Sequence, residues 1–203
     1  MIFNKLEKTK MLSISVMAHP SREKFFPYLK ERLGDVPFSI DEKSEGVWPN
    51  AMRAWSMFDP EAVYHVVIQD DAVICDNFQE RAEEVLIQAM RKFPMPAVSF
   101  YFGNRSSLHG VAEEGIERGY CTMGRTPWAV AICLPTFLIP EMLEYCKDLP
   151  MPQDDVRIGK FIREKGMRVY FPLPSLISHR TDEKSLVGDL GKGRKAAFFI
   201  DKI

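Results

Sequence analysis

Alternating apolar and polar positions first appear at 12–17, where the pattern is typical of a strand with one face on the core. A continuous apolar run with β-branched residues follows at 64–68 and ends in Gln69, Asp70 and Asp71. This run predicts a buried central strand with acidic residues at its carboxyl end. Shorter strands are predicted at 37–41, 97–102, 129–134, 168–171 and 175–177.

Helix signals separate the predicted strands. Ser21 is a candidate N-cap for a helix that ends before Gly34, and Asn77 is a candidate N-cap for a helix that runs to Lys92. The alternation of strands and helices predicts a single α/β domain with a mixed, mostly parallel sheet and helices on both faces. Further helices are predicted at 49–58, 135–147 and 154–165.

Ligands of such sheets bind beyond the carboxyl ends of the strands. This rule singles out three loops, at 19–22, at 69–71 and from Gly103 onward. Five glycines interrupt the pattern between Gly103 and Arg125, which predicts a long irregular loop. Loops of this length in compact domains are usually functional or disordered.

The composition fits one soluble globular domain, because 46% of the 203 residues are hydrophobic and 27% are charged. The net charge of −1 excludes a strongly basic nucleic-acid binder overall, but a local basic strip is compatible with it. The four cysteines contain no CxxC pair, which argues against a zinc or redox motif and favours a reducing compartment. No signal peptide and no apolar stretch of roughly 20 residues is present, so a cytoplasmic location without a membrane span is expected.

The adjacent carboxylates of Asp70 and Asp71 repel each other unless a positive charge lies beside them. A hard cation such as Mg²⁺ or Mn²⁺ would supply that charge, and carboxylate oxygens suit it. The alternative is that both aspartates are solvated turn residues. Their position after a buried strand favours the cation site.

The segment 67–74, with Gln69-Asp70-Asp71 at its centre, resembles the Asp-x-Asp strand end of GT-A glycosyltransferases. It is most similar to the EDD-type variant of small bacterial and phage enzymes, with Gln69 in place of the first acid. The resemblance implies a GT-A, Rossmann-like fold and a metal-bound nucleotide-sugar. It implies that Asp71 is the direct metal ligand and that Asp70 serves the ribose or the sugar.

A second stretch at 170–179 contains Pro174-Ser175-Leu176 and His179. It resembles the PSL-x-x-H strand that closes many GT-A sites, and the continuation at 185–188 is similar to the SSLG sequence of that family. The resemblance implies that His179 is a metal ligand. Because imidazole suits Mn²⁺ better than Mg²⁺, Mn²⁺ is the expected metal.

The acidic pair Asp154-Asp155 precedes a predicted helix. Aspartates favour helix N-termini, so a capping role is one interpretation. GT-A enzymes carry an acid at this place, and in inverting members it deprotonates the acceptor hydroxyl. The resemblance therefore implies a catalytic base at Asp155, with Asp154 as the alternative.

In GT-A enzymes the loop after the first strand holds the base and ribose, which assigns His19 and Pro20 to the donor site. Arg22 lies near a helix N-terminus and is expected to reach a phosphate; the alternative is a surface arginine. Arg194 belongs to the basic run 192–195, which either clamps the diphosphate, touches a polyanionic acceptor or is a solvated surface.

Acceptor binding is assigned to the glycine-rich region. We expect Trp128 to stack on a sugar or base and Arg125 to contact the acceptor, with residues 103–128 as a mobile acceptor loop. The loop would separate a nucleotide-binding half at 11–102 from an acceptor half at 129–190, and a basic tail follows at 191–203.

Together these assignments predict an inverting, metal-dependent glycosyltransferase with a UDP-sugar donor, UDP-glucose on family grounds. The acceptor is either a hydroxymethylated pyrimidine in phage DNA, which would place the enzyme in the host cytoplasm, or a surface glycan such as lipopolysaccharide. Two rivals are a metal-dependent nucleotidyltransferase and an inactive nucleotide-sugar-binding domain. The nucleotidyltransferase is disfavoured because the loop at 19–22 lacks glycine.

Overall fold

The computed structural model describes residues 10–184, 186 and 194–200. Three short 3₁₀ helices, Pro20–Phe25, Ser106–Leu108 and Thr136–Leu138, accompany the main elements. The strands are β1 Leu12–Ala18, β2 Phe38–Ile40, β3 Tyr64–Gln69, β4 Ala72–Ile74, β5 Ala97–Ser99, β6 Tyr120–Met123, β7 Ala131–Pro135, β8 Val169–Pro172 and β9 Ile177–His179. The α-helices are α1 Phe26–Leu33, α2 Val47–Ser56, α3 Phe78–Lys92, α4 His109–Arg118, α5 Ile139–Cys146 and α6 Asp154–Glu164.

Seven strands form one sheet in the order β2-β1-β3-β7-β5-β8-β6, and β4 pairs with β9 in a separate two-stranded sheet. Strands β2, β1, β3, β5 and β8 run in one direction, whereas β7 and β6 oppose them. Helices α1 and α3 pack on each other, and α2, α5 and α6 form a second group. The predicted fold class, a single α/β domain with a mixed, mostly parallel sheet covered by helices on both faces, is confirmed.

Strand β1 is buried on both faces, although its sequence alternates apolar and polar residues. Its polar residues satisfy each other inside the core. Ser13 Oγ lies 2.8 Å from Nδ1 of the fully buried His65, and Ser15 Oγ lies 3.1 Å from Nε2 of the same ring. Ser15 also donates to the carbonyl of Ala54 in α2. The polar positions in the alternating sequence of β1 therefore belong to a buried hydrogen-bond network that joins β1, β3 and α2.

The prediction of an irregular segment between Gly103 and Arg125 is wrong, because this segment contains α4 and β6. Two of its glycines, Gly115 and Gly119, serve helix packing and helix termination. A Cβ on Gly115 would lie 2.5 Å from Cδ1 of Leu173, so this position packs too closely for a side chain. Gly119 ends α4 with a φ of 77°, the left-handed conformation that favours glycine.

The helix start assigned to Ser21 is also wrong. His19 caps the preceding 3₁₀ helix, because its Nδ1 atom accepts a hydrogen bond from the Ser21 backbone N–H. Helix α1 begins only at Phe26. Asn77 does precede α3, but its side chain makes no capping hydrogen bond.

The C-terminal segment 194–200 returns to the sheet. Asn104 N–H donates to the carbonyl of Lys195 over 2.9 Å, and Ala197 N–H donates to the carbonyl of Phe102 over 2.8 Å. Residues 191–193 and 201–203 of the predicted tail, and all of the predicted 185–188 motif except Leu186, lie outside the described residues.

All four cysteines are buried free thiols, as expected for Cys75 and Cys133 in apolar runs. Among the described residues, no helix has the length and apolar character needed to cross a membrane.

Candidate donor and metal site

A pocket of about 280 Å³ opens where β1, β2 and β3 reach their carboxyl ends. This is the edge at which open α/β sheets bind ligands. The pocket brings together six residues that the sequence assigns to the donor or the metal, namely His19, Arg22, Gln69, Asp70, Asp71 and His179. Pro20 is exposed at the start of the 3₁₀ helix and lies outside the pocket lining.

Asp70 joins the ends of β1 and β3. Its Oδ2 atom accepts a hydrogen bond from the His19 backbone N–H over 2.7 Å, and Oδ1 accepts from Arg22 Nη1 over 2.8 Å. Burial raises the pKa of Asp70, whereas Arg22 and the His19 N–H oppose that effect. Since both oxygens accept from donors, the carboxylate is satisfied as an anion without a ligand.

Asp71 has one satisfied and one unsatisfied oxygen. Oδ2 accepts from Arg22 Nη1 over 2.6 Å and lies 3.3 Å from His179 Nε2. Oδ1 is buried and has no hydrogen-bond partner among the residues that the structure describes. A buried carboxylate oxygen without a partner carries a large desolvation cost, so this atom is suited to a cation or a ligand donor.

The ring of His179 can present a nitrogen lone pair beside the Asp71 carboxylate. Its Nδ1 atom lies 2.7 Å from the carbonyl of Arg180, which can only accept, so Nδ1 carries the proton. In the neutral ring, Nε2 then faces Asp71 Oδ2 as a second acceptor, and a cation between or beside them relieves the repulsion.

The donor set therefore fits the Mn²⁺ or Mg²⁺ that the resemblance implies, with Asp71 and His179 as the protein ligands. Within the described residues, no cluster of three or more His, Cys, Asp or Glu side chains is arranged for a metal. A bound substrate and water would have to complete the coordination.

Arg22 lines the pocket, and both of its terminal nitrogens are hydrogen-bonded to other residues of the chain. Its guanidinium is buried between Asp70 and Asp71, and its Nη2 atom donates to the carbonyl of Lys184 over 2.8 Å. The alternative of an exposed surface arginine is wrong, because only 6% of the residue is exposed. The positive charge that the acidic pair requires is thus supplied by the chain itself.

Asp154 and Asp155 occupy the first turn of α6. Burial, followed by the charge of Asp155, raises the pKa of Asp154 to about 7, while a hydrogen bond from the Gln69 side chain opposes the rise. Asp155 is more exposed; burial raises its pKa and the charge of Arg105 lowers it. Gln69 therefore links the pocket floor to Asp154.

Asn50 and Asp41 are among the pocket residues that were not predicted from the sequence. Asn50 Nδ2 donates to the carbonyl of Ala18 over 2.9 Å and holds the end of β1. Asp41 follows β2 directly and accepts from the N–H groups of Glu45 and Gly46, over 2.9 and 3.0 Å. Burial alone would raise the pKa of Asp41, but these N–H groups and Arg53 lower it. Its position after a strand was the available signal, since the rule for strand ends applies equally to β2.

The two predicted acceptor residues differ in solvent exposure, since Trp128 is buried and Arg125 is exposed. Trp128 is 9% exposed and packs edge-on against Tyr101, Phe102 and Phe171, so little of its ring is open to an acceptor. Arg125 is exposed. The Tyr101 hydroxyl donates to the carbonyl of Arg194 over 2.6 Å. Burial raises the pKa of Tyr101, and the charge of Arg194 opposes that rise.

No protein-family model and no curated protein sequence matches the chain. Similar solved structures include nucleotidyl- and glycosyltransferases. The 4-diphosphocytidyl-2C-methyl-D-erythritol synthase of Anaerococcus prevotii is 14% identical, over 82% of this chain and 91% of that chain, with a TM-score of 0.47. The Drosophila β1,4-galactosyltransferase 7, solved with manganese, UDP-Gal and xylobiose, is 10% identical, over 88% and 77%, with a TM-score of 0.47.

The UDP-glucose pyrophosphorylase of Acinetobacter baumannii is 12% identical, over 88% of this chain and 64% of that chain, with a TM-score of 0.44. All three TM-scores are below 0.5, so these similarities carry no argument about the activity of this chain.

Proposed function

We propose that the chain is a metal-dependent glycosyltransferase that moves a sugar from a nucleoside diphosphate sugar to a hydroxyl group. The observation that carries the proposal is the Oδ1 atom of Asp71, which no described residue pairs and which is buried beside His179 at the carboxyl edge of the sheet. A carboxylate and an imidazole suit Mn²⁺, with Mg²⁺ as the alternative. The bound metal would supply charge neutralisation for the leaving diphosphate.

The donor would occupy the pocket between the ends of β1, β2 and β3. His19 lines it from the β1 loop, and Asn50 lines it from α2. Arg194, whose carbonyl accepts from the Tyr101 hydroxyl, would contact the diphosphate. UDP-glucose is the donor that the GT-A resemblance implies.

Asp154 would serve as the base for an inverting transfer. The acceptor oxygen attacks the anomeric carbon, the bond to the diphosphate breaks, and the acceptor proton passes to the Asp154 carboxylate. A pKa of about 7 suits this role, since a general base works best near the operating pH. Gln69 would hold the carboxylate, and Asp155 is the alternative base.

The acceptor would be anionic. Arg105 is close enough to Asp155 to lower its pKa, and the backbone of Lys195 is hydrogen-bonded to Asn104, the neighbour of Arg105. The backbone bond from Asn104 to Lys195 thus brings a second basic chain segment next to Arg105, which acts on the alternative base Asp155. Hydroxymethylated pyrimidines in phage DNA fit this charge, and a phosphorylated surface glycan such as lipopolysaccharide is the alternative.

The nucleotidyltransferase alternative requires a basic residue free to receive a nucleoside triphosphate after the first strand. Arg22 is the basic residue of that loop, and its guanidinium is held by Asp70 and Asp71. The arrangement thus favours sugar transfer. An inactive nucleotide-sugar-binding domain would retain donor binding without turnover.

The experiment incubates the protein with a panel of UDP-sugars and Mn²⁺, and measures UDP release alone and with acceptors. The acceptors are hydroxymethyl-modified DNA, unmodified DNA and lipopolysaccharide core. Metal-dependent UDP release that rises with one acceptor is the expected result. Pyrophosphate release from a nucleoside triphosphate and a sugar phosphate would support the nucleotidyltransferase instead.

A further inference from the structure

The acidic pair of the candidate metal site already has a counter-charge. Arg22 Nη1 contacts Asp70 Oδ1 and Asp71 Oδ2, and less than a tenth of each of these three residues is exposed. Ion pairs in such surroundings are only weakly screened. Two carboxylates and one guanidinium leave the cluster with a net charge of −1.

The guanidinium is fixed and stays charged. An arginine side chain stays protonated in proteins, and this one contacts two carboxylates. Nη2 is held by the carbonyl of Lys184, so the side chain is anchored on both of its terminal nitrogens. Removing Arg22 from the pair would leave two uncompensated carboxylates, which is costly in a buried site.

On the basis of the proposed function, we propose that Arg22 is a positioning residue that makes cation binding at Asp71 depend on a nucleoside diphosphate. Within the described part of the chain, Oδ1 of Asp71 has no hydrogen-bond partner, and the neighbouring guanidinium repels a free dication. A diphosphate brings both negative charge and oxygen ligands, so the cation binds tightly only together with it.

This role differs from direct contact between Arg22 and the donor. If Arg22 were a phosphate ligand, its replacement would weaken UDP binding and would leave the affinity for free Mn²⁺ unchanged. If it neutralises the acidic pair, its replacement strengthens the binding of free Mn²⁺, because the cluster charge changes from −1 to −2.

The test is a titration of free Mn²⁺, without nucleotide, into the wild-type protein, Arg22→Gln and Arg22→Lys, followed by electron paramagnetic resonance. Arg22→Gln is expected to bind Mn²⁺ at least tenfold more tightly than wild type. Arg22→Lys, which keeps the charge, should remain close to wild type. Arg91→Gln, at an exposed position on α3, is the matched control for loss of one positive charge. Equal Mn²⁺ affinities for Arg22→Gln and wild type would overturn the proposal.

If Arg22→Gln does not fold, a second variant tests whether the charge of the cluster controls Mn²⁺ binding. Asp70→Asn changes the cluster charge from −1 to 0 without removing a ligand atom of Asp71. Its Mn²⁺ affinity in the presence of saturating UDP is expected to fall at least tenfold, and an unchanged affinity would contradict the inference. Wild-type protein that binds UDP equally with and without Mn²⁺ would instead contradict the proposed function, so the two failures are distinguishable.

Discussion

The Nε2 atom of His179 lies 3.3 Å from Oδ2 of Asp71, and the pairing of β4 with β9 holds the two residues together. Asp71 precedes β4, and Ala72 is the register partner of His179 in this antiparallel pair. In addition, the Arg180 N–H donates to the Asp71 carbonyl over 2.9 Å. Backbone hydrogen bonds on both sides therefore fix the distance between the two candidate metal ligands.

Asp154→Asn is expected to lower kcat by about 10²–10⁴-fold while leaving metal-dependent UDP binding intact, because it removes only the proton acceptor. The wild-type rate should rise with pH through about 7, since the base works in its deprotonated form. Steady-state rates at saturating donor from pH 5.5 to 8.5 test this. Asp155→Asn is the comparison, and a larger loss in that variant would assign the base to Asp155.

The same substitution should stabilise the fold at alkaline pH. Burial raises the pKa of Asp154 to about 7, so the folded state binds its proton more tightly than the unfolded state does. Its contribution is fully present below the unfolded pKa of about 4 and is lost as the pH rises through 7. Asp154→Asn should therefore increase the free energy of unfolding at pH 8 by on the order of 2 kcal/mol. Urea unfolding at pH 5 and pH 8 measures it, and an equal effect at both pH values would contradict the explanation.

His65 should make the protein sensitive to acid. Burial lowers the pKa of His65 to about 4, so the folded state favours the neutral ring. Its contribution is present above the unfolded pKa of about 6.5 and is lost as the pH falls towards 4. Between pH 7 and pH 4, the free energy of unfolding should therefore fall less in His65→Gln than in wild type, by on the order of 3 kcal/mol.

Urea unfolding as a function of pH measures that difference. His109→Gln is the matched control, because His109 is an exposed residue on α4. A pH dependence in His65→Gln that is as steep as that of wild type would show that other groups control acid unfolding.

Gly103→Ala should destabilise the protein by about 1–3 kcal/mol, since an added methyl group overpacks the core. A Cβ at this position would lie 2.6 Å from the Tyr101 hydroxyl oxygen and 2.8 Å from Cε2 of Trp128. Thermal unfolding measures the change. Gly110→Ala is the control, because a Cβ there meets nothing within 4 Å, and its effect should stay within about 0.5 kcal/mol.

Local patterns were sufficient to predict most of the sheet. The apolar run at 64–68 is β3, and the rule for strand ends is sufficient to predict Gln69, Asp70 and Asp71 as pocket residues. The convergence of His179 with Asp71 depends on the pairing of β4 with β9, and only the family resemblance gave a signal for it.

Other features depend on tertiary packing that leaves no local pattern. Gly115 fits against Leu173, a residue far away in the sequence, so the glycine-rich segment was interpreted as a loop although it forms α4 and β6. The contacts of Arg22 with Asp70 and Asp71 have no local signal, because these residues are far from Arg22 in the sequence and meet it only in the folded chain. Similarly, the burial that raises the pKa of Asp154 distinguishes it from Asp155 only in the structure.

The central claim is that Asp71 and His179 form a metal-dependent nucleotide site. Calorimetric titration of UDP in the presence and absence of Mn²⁺ tests it most directly. Wild-type protein should bind UDP at least tenfold more tightly with Mn²⁺, and the gain should vanish in Asp71→Asn and His179→Ala. It should persist in Asp148→Asn and His109→Ala, which alter exposed residues. Equal UDP affinity with and without Mn²⁺ in the wild-type protein would contradict the account.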